Sequence, residues 1–171
     1  TYDNKIDAYK NAKILLNHCK PDLLKIEISE KRLIVLKHLV DKKVNVISHI
    51  GVTPQSYKNF NKIKVLGRTN KEKQNLLKLA KESETLGAKA VLLECVTANT
   101  AKLITENISI PTIGIGASKY CDGQVLVFDD LINLSTNDKK PKFVKNYFNF
   151  NKIAGNVCLL YTSPSPRDGR I

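Results

Sequence analysis

Charged and polar side chains interrupt three apolar runs of the sequence, near the points where strands of a parallel sheet would end. Lys25 and Glu27 lie in LLKIEI, Ser48 and His49 in NVISHIG, and Glu94 in VLLECV. The carboxyl ends of parallel strands meet at one edge of an α/β fold, so such side chains can converge there on one small anion. A carboxylate among apolar neighbours, such as Glu94, suits a general base.

The spacing of Lys25 and Glu27 places both side chains on one face of a strand, because side chains alternate between faces. Two charges in an apolar run are costly to desolvate unless they pair with each other or bind an ion or a ligand. Each position also has a plain structural interpretation, as a strand-end salt bridge or, for His49, as a hydrogen-bonded loop histidine. We therefore treat Glu94 as the candidate base, with His49 and Ser48 as additional candidates.

Short apolar runs alternate with longer segments whose apolar residues recur three and four apart, which is the pattern of βα units. The runs are almost continuously apolar, as strands of a parallel sheet covered on both faces are. The predicted strands cover residues 23–28, 44–52, 90–96, 112–117 and 124–128.

Helices are predicted between these strands. Two apolar stripes indicate the first two helices, Tyr9, Ala12, Leu15 and Leu16 in one and Leu33, Ile34, Leu36 and Leu39 in the other. A third helix is predicted over about 70–86, because Thr69 and Glu72 have the spacing of a capping box and Gly87 suits a left-handed C-terminal cap. A fourth covers about 99–106 and stops before Pro111.

The tandem βα units are compatible with an open doubly wound sheet or with part of a (β/α)₈ barrel. The 171 residues fit an open five-stranded sheet as they stand, whereas a complete barrel takes about 250 residues.

Two glycines in the segment IGIGAS, residues 113–118, resemble a phosphate-binding turn. That signal is weak, because the third glycine of G-x-G-x-x-G is absent and no helix pattern starts there.

Composition narrows the class of protein. No apolar stretch reaches the length of a membrane helix, and we expect a cytoplasmic protein. The four cysteines form no C-x-x-C pair, so we expect free thiols rather than a zinc site or disulfides.

The net charge of +12 raises the alternative of a basic nucleic-acid-binding module. The lysines are spread along helix faces with few aromatics among them, which favours solvated surfaces instead.

A series of motifs resembles the ketopantoate hydroxymethyltransferase family, also called 3-methyl-2-oxobutanoate hydroxymethyltransferase. The motifs follow the family's order and spacing from about residue 1 to residue 147. They are KIE at 25–27, HIGVTPQS at 49–56, KVLGR at 64–68, GA followed by VLLECV at 87–96, IPTIGIGAS at 110–118, CDGQVLV at 121–127 and PKFVKNY at 141–147.

The resemblance implies a partial (β/α)₈ barrel of the phosphoenolpyruvate/pyruvate type, holding roughly strands four to eight, in a protein that forms homo-oligomers. It implies transfer of a hydroxymethyl group from 5,10-methylenetetrahydrofolate to 3-methyl-2-oxobutanoate, giving ketopantoate in pantothenate synthesis. By position, Lys25 would bind the substrate, Glu27 would help bind Mg²⁺ and Glu94 would be the proton acceptor. Mg²⁺ prefers hard oxygen ligands such as carboxylates and could stabilise a developing enolate as a Lewis acid.

The sequence also departs from the family pattern. The family's two magnesium-binding aspartates belong to N-terminal motifs that this chain lacks, so we expect the chain alone to be inactive. Ile28-Ser29 replaces the glycines after KIE, Ser118 replaces the third glycine of a GIGAG turn, and Asp129-Asp130 replaces a His-Asp pair. The main alternative enzyme is another magnesium-dependent 2-oxo-acid enzyme on the same barrel type, such as an isocitrate-lyase-like enzyme.

Both ends of the chain differ from an ordinary gene product. The sequence contains no Met and opens directly before a helical pattern, so we expect upstream sequence to be missing. From Cys158 onward, CLLYTSPSPRDGRI abandons the Lys/Asn/Ile-rich composition and resembles translated vector sequence. We expect residues 1–157 to form the C-terminal part of one barrel domain and residues 158–171 to be a non-native, poorly ordered tail.

Overall fold

The computed structural model describes residues 4–53, 64–134, 143–144 and 147–150. The chain divides into two compact units, Thr1–Val125 and Leu126–Ile171. Helices and strands alternate through the first unit. In chain order they are α1 Lys5–Cys19, β1 Leu24–Glu27, α2 Leu33–Asp41, β2 Val46–Gly51, α3 Asn70–Thr85, β3 Ala90–Glu94, α4 Ala98–Thr105, β4 Thr112–Ile115 and β5 Gly123–Gln124, with a short 3₁₀ turn at Glu30–Arg32.

The order of the strands decides between the two architectures that the sequence leaves open. The sheet runs β1-β2-β3-β4-β5, and every neighbouring pair is parallel. A doubly wound sheet reverses its strand order at a switch point, and the described strands show no reversal. Helix α1 packs on α2, α2 on α3 and α3 on α4, so the helices form a row. This is the winding of a partial (β/α)₈ barrel.

The hydrophobic core lies between the sheet and the helices. Val46 and Ile50 of β2 and Val91 and Leu93 of β3 are fully buried there. The helices contribute further buried residues to the same cluster, among them Val35, Leu36 and Leu39 of α2, Leu76 and Ala80 of α3, and Ala101 and Ile104 of α4. Because side chains alternate along a strand, this packing leaves the intervening residues on the opposite, barrel-interior face.

Local signals for helix ends are confirmed at α3. The Thr69 side chain accepts a hydrogen bond from the Glu72 backbone N–H, and the Glu72 side chain accepts one from the backbone of Thr69, which completes the capping box. Gly87 follows the helix with φ +95°, a left-handed conformation that favours glycine. A Cβ at Gly87 would also come within 2.9 Å of Val40 Cγ1, so both backbone and packing favour glycine there.

Three sequence expectations differ from the structure. The last strand is Gly123–Gln124, not residues 124–128, and Phe128 already begins the short helix α5, Phe128–Leu131. The apolar run at 124–128 has no periodicity that separates a strand from a loop and a helix start. Leu15 and Ile34 are 48% and 60% exposed, because α1 and α2 bury narrower stripes than their apolar residues suggest.

The second unit is described through α5 and a few later residues. Phe150 donates a backbone hydrogen bond to the Ile132 carbonyl, and the side-chain amide of Asn133 donates a hydrogen bond to the side-chain oxygen of Asn149. Cys19, Cys95 and Cys121 are free thiols, as expected. Cys158 and the tail at 158–171 lie outside the described residues. Among the helices that the structure does describe, none has the length and apolar character to cross a bilayer.

Candidate active site

Side chains from three neighbouring strands meet on the interior face of the sheet. Lys25 of β1 places its Nζ 3.2 Å from His49 Nδ1 of β2. His49 Nε2 lies 3.1 Å from Glu94 Oε2 of β3. This second contact is short enough for a hydrogen bond, but its geometry does not form one. Among the described residues, His49 Nε2 has no hydrogen-bond partner. The histidine thus lies between a cation and a carboxylate.

Strand register explains why these residues meet. Lys25 pairs with Ile47, two residues before His49, and His49 pairs with Leu92, two residues before Glu94. A step of two residues preserves the face of a strand, so all three side chains project to the same side. The cluster therefore forms a diagonal line across β1, β2 and β3, ascending toward their carboxyl ends.

Burial differs sharply along this line. His49 is completely buried, the Glu94 side chain is 19% exposed and Lys25 is exposed. Lys25 and Glu94 therefore reach the open side of the sheet while His49 lies beneath them. A small molecule arriving from that side would contact the ammonium group and the carboxylate first.

Glu27 lies on the same face, beside His49 in register, and is only 6% exposed. Its Oε2 is 4.0 Å from the Arg32 guanidinium, on the 3₁₀ turn that follows β1. Arg32 was not among the sequence candidates. Its place in the loop after a barrel strand was the available signal, because such loops build the active sites of this fold.

Ser48 does not join the cluster, which corrects its place among the candidate site residues. Its side chain points to the helix face of β2, is fully buried, and hydrogen-bonds Ser83 of α3 at 2.7 Å. Adjacent residues on a strand face opposite sides, so Ser48 and His49 were never both able to face the interior. Ser48 is a packing residue of the β2–α3 contact.

Two backbone features position the end of β3. Gly51, the register partner of Glu94, has φ +97°, and a Cβ there would overlap the Glu94 backbone carbonyl and lie 2.9 Å from Val96 Cγ2. The glycine in HIGV therefore lets β2 pass close to Glu94. Cys95 has φ +50°, a conformation uncommon for residues other than glycine, and turns the chain directly after Glu94.

The segment before α3 is anchored to the end of β3. Leu66 forms a parallel bridge with Val96, and its backbone N–H donates to the Cys95 carbonyl at 2.9 Å. The Gly67 carbonyl accepts hydrogen bonds from the hydroxyls of Thr97 and Thr100. These bonds fix the backbone that directly follows Glu94.

The thiol of Cys95 reports the electrostatics beside Glu94. Burial is the main reason that the pKa of Cys95 is raised above its ordinary value, and the neighbouring Glu94 carboxylate adds to the effect. Burial likewise raises the pKa of Cys121, in the segment before β5. Neither of these two thiols has the lowered pKa of a reactive cysteine, so Cys95 and Cys121 are unsuited to act as nucleophiles.

The described residues fit a metal site only in part. No group of three His, Cys, Asp or Glu side chains among them could enclose a metal ion. The buried Glu27 carboxylate is nevertheless a hard oxygen donor of the kind that Mg²⁺ takes from proteins, often through one or two carboxylates with water completing the shell. The IGIGAS segment offers no phosphate site of the usual kind, since the next described helix after it is α5.

One known protein family matches most of the chain. A family model described as ketopantoate hydroxymethyltransferase matches residues 1–164. The chain belongs to this family. Membership confirms the resemblance seen in the motifs.

Curated members of the ketopantoate hydroxymethyltransferase family are similar along most of the chain. The 3-methyl-2-oxobutanoate hydroxymethyltransferase of Pelagibacter ubique is 42% identical over 161 residues, which is 94% of this chain and 61% of that protein. The protein of the same name from Francisella tularensis (strain SCHU S4) is 40% identical over the same shares. The Clostridium kluyveri protein is 42% identical over 86% of this chain and 52% of its own length. The chain thus spans about 60% or less of these relatives.

Among solved structures, the carboxyl transferase domain of Rhizobium etli pyruvate carboxylase superposes with a TM-score of 0.43 and 16% identity. The match covers 64% of this chain and 18% of that chain.

Proposed function

We propose that the full-length protein transfers a hydroxymethyl group from 5,10-methylenetetrahydrofolate to 3-methyl-2-oxobutanoate, giving ketopantoate in pantothenate synthesis. Family membership supports the type of reaction. The observation that carries the proposal is the line of Lys25, His49 and Glu94 across three strands, with a cation and a carboxylate presented on the open side.

Lys25 is proposed to bind the substrate carboxylate. Its ammonium has three donors and no acceptor, and the contact with His49 Nδ1 uses one of them. The remaining donors are available to an anionic substrate, because the side chain is exposed. A charge-assisted hydrogen bond of this kind would hold the keto acid with its C3 toward β3.

Glu94 is proposed to accept the proton from C3 of the keto acid. As the C–H bond breaks, its electron pair forms the C2–C3 double bond of an enolate, and the negative charge develops on the C2 oxygen. The enolate carbon then bonds to the methylene carbon of the folate as one of the two C–N bonds of that carbon breaks. Water displaces the second nitrogen and leaves its oxygen as the hydroxyl, while the proton taken from C3 and one proton of the water pass to the two nitrogens of the departing tetrahydrofolate. The 19% exposure of Glu94 lets it reach the substrate while much of it stays away from bulk water.

Mg²⁺ is proposed as the metal of the reaction, with Glu27 as one of its ligands. A bound Mg²⁺ would supply Lewis-acid stabilisation to the keto and carboxylate oxygens of the substrate. Glu27 and Lys25 are two residues apart on one face of β1, so a single strand would present both the metal ligand and the substrate cation.

The wider setting is proposed on the same family basis. We propose that the protein acts in the cytoplasm on small molecules and forms a homo-oligomer at full length. We also propose that residues 1–157 belong to one barrel domain, and that the 171-residue chain alone does not turn over, because a complete metal site needs ligands beyond Glu27.

The proposed function is tested by product formation in the full-length protein. Glu94→Gln should lower kcat by about 10² to 10⁴-fold, because the amide cannot accept the proton. Glu106→Gln removes an exposed carboxylate at the far end of α4 and should leave kcat unchanged. Ketopantoate is measured by chromatography after incubation with both substrates and Mg²⁺. A Glu94→Gln protein that folds and keeps the wild-type kcat would overturn the role of Glu94.

A further inference from the structure

His49 is the most buried residue of the cluster and contacts charged residues from both neighbouring strands. Its exposure is 0%, and it lies 3.2 Å from Lys25 on one side and 3.1 Å from Glu94 on the other. The two ring nitrogens of His49 therefore face different groups. Nδ1 faces the Lys25 ammonium, and Nε2 faces the Glu94 carboxylate. The hydrogen-bonding capacity of those groups determines where the ring proton lies.

The Lys25 contact selects one tautomer. An ammonium group only donates hydrogen bonds, so the atom that it contacts, Nδ1, must provide the lone pair. The ring proton is therefore on Nε2, the nitrogen that faces Glu94 Oε2. A carboxylate only accepts, which makes this the tautomer that suits both neighbours.

The present alignment leaves the Nε2–H without an aligned acceptor, although Glu94 Oε2 is within hydrogen-bond distance. The Glu94 carboxylate is the less buried partner and sits after the close approach at Gly51, whereas the His49 ring is enclosed. A small rotation of the carboxylate is therefore the motion that would complete the bond. One carboxylate oxygen would then be held by His49, and the other would be directed to the open side.

We propose that His49 is a positioning residue: in the Nε2–H tautomer selected by Lys25, it orients the Glu94 carboxylate for proton abstraction. This rests on the proposed function, because it assigns His49 a part in that reaction. It also links the two ends of the site, since the lysine that holds the substrate carboxylate is the same lysine that sets the tautomer. His49 itself does not touch the reacting carbon.

Substitutions at position 49 separate its two contacts. In His49→Gln the amide nitrogen can take the place of Nε2 and donate to Glu94, whereas in His49→Asn the shorter side chain can accept from Lys25 but falls short of Glu94. In the full-length protein we expect His49→Asn and His49→Leu to lose about 100-fold in kcat, the scale of a 1 Å misplacement. His49→Gln should recover much of that kcat while raising KM, because the Lys25 contact is lost. His18→Gln, an exposed histidine at the end of α1, is the control and should change neither constant.

The tautomer is measured directly by ¹⁵N NMR of the histidine rings in this chain. We expect an acceptor-type signal at Nδ1 and a protonated-type signal at Nε2 of His49, and a shift toward mixed tautomers in Lys25→Met. A protonated Nδ1 in the wild-type chain overturns the proposal, as does wild-type kcat in a folded His49→Leu protein. If the full-length protein forms no ketopantoate, the proposed function fails by itself, and the NMR result still decides the tautomer.

Discussion

The charge on Glu94 affects the thiol of the next residue, Cys95. Burial first, and the Glu94 carboxylate second, raise the pKa of its thiol. A raised pKa means that less thiolate is present at a given pH, and the thiolate is the form that reacts with alkylating agents. Alkylation of Cys95 should therefore become fast only at a pH above that of an ordinary thiol.

Glu94→Gln should lower the pKa of Cys95 without returning it to the ordinary value, because only the smaller of the two causes is removed. The measurement is the rate of iodoacetamide labelling against pH, followed by mass spectrometry of the peptide that contains Cys95. Cys121 is the internal control, since its raised pKa comes from burial and from other neighbours. An unchanged Cys95 profile would mean that Glu94 carries no charge beside it.

At the scale of residues, the sequence shows which positions carry charge. It does not show how far apart their side chains lie in the fold. Lys25, Glu27 and Glu94 are evident because each interrupts an apolar run. Arg32 is not, because its 4.0 Å approach to Glu27 depends on how the turn after β1 folds back. The role of Gly51 depends on strand register, which a single sequence does not reveal.

At the scale of elements, successive side chains of strand β2 point to opposite faces of the sheet. One face packs against the helices, and the other carries the candidate active site. Ser48 faces α3 and bonds Ser83, while His49 faces the interior. Ser48→Ala should destabilise the protein by about 1–3 kcal/mol through loss of a buried hydrogen bond, and should leave kcat unchanged. Chemical denaturation measures the free energy of unfolding, and the product assay measures kcat in the full-length protein.

Ser83→Ala provides the matched test of that packing role. The double variant Ser48→Ala, Ser83→Ala should cost less than the sum of the two single variants, because the second substitution removes a partner that the first already left unbonded. Strictly additive losses would show that the two hydroxyls do not stabilise each other. A fall in kcat with unchanged stability in Ser48→Ala would return this residue to the site.

Elements with local signals could be predicted well, and elements without them could not. Short local signals mark both ends of α3. The capping box at Thr69 and Glu72 marks its start, and the left-handed Gly87 marks its end. The strand expected at 124–128 lacked such punctuation, and only Gly123–Gln124 pairs with β4. Ile34 shows the same limit in α2, because an apolar residue does not reveal which neighbour will cover it.

At the scale of the whole molecule, strand order is the information that local patterns lack. Five βα units suit a doubly wound sheet or a barrel equally, and pairing between distant segments decides the matter. The parallel order β1 to β5, without reversal, places the carboxyl ends of β1, β2 and β3 side by side. That arrangement brings together Lys25, His49 and Glu94. Lys25 and His49, for example, are 24 residues apart in the sequence.

Exchange of the C3 proton of 3-methyl-2-oxobutanoate tests the central claim most directly. It isolates proton abstraction from the later folate step, and ¹H NMR in D₂O follows the loss of the C3 signal. With Mg²⁺ and no folate, the full-length protein should catalyse exchange, chelation of Mg²⁺ should stop it, and Glu94→Gln should slow it by at least about 100-fold. Absence of exchange in the wild-type protein, or full exchange in Glu94→Gln, would contradict the account.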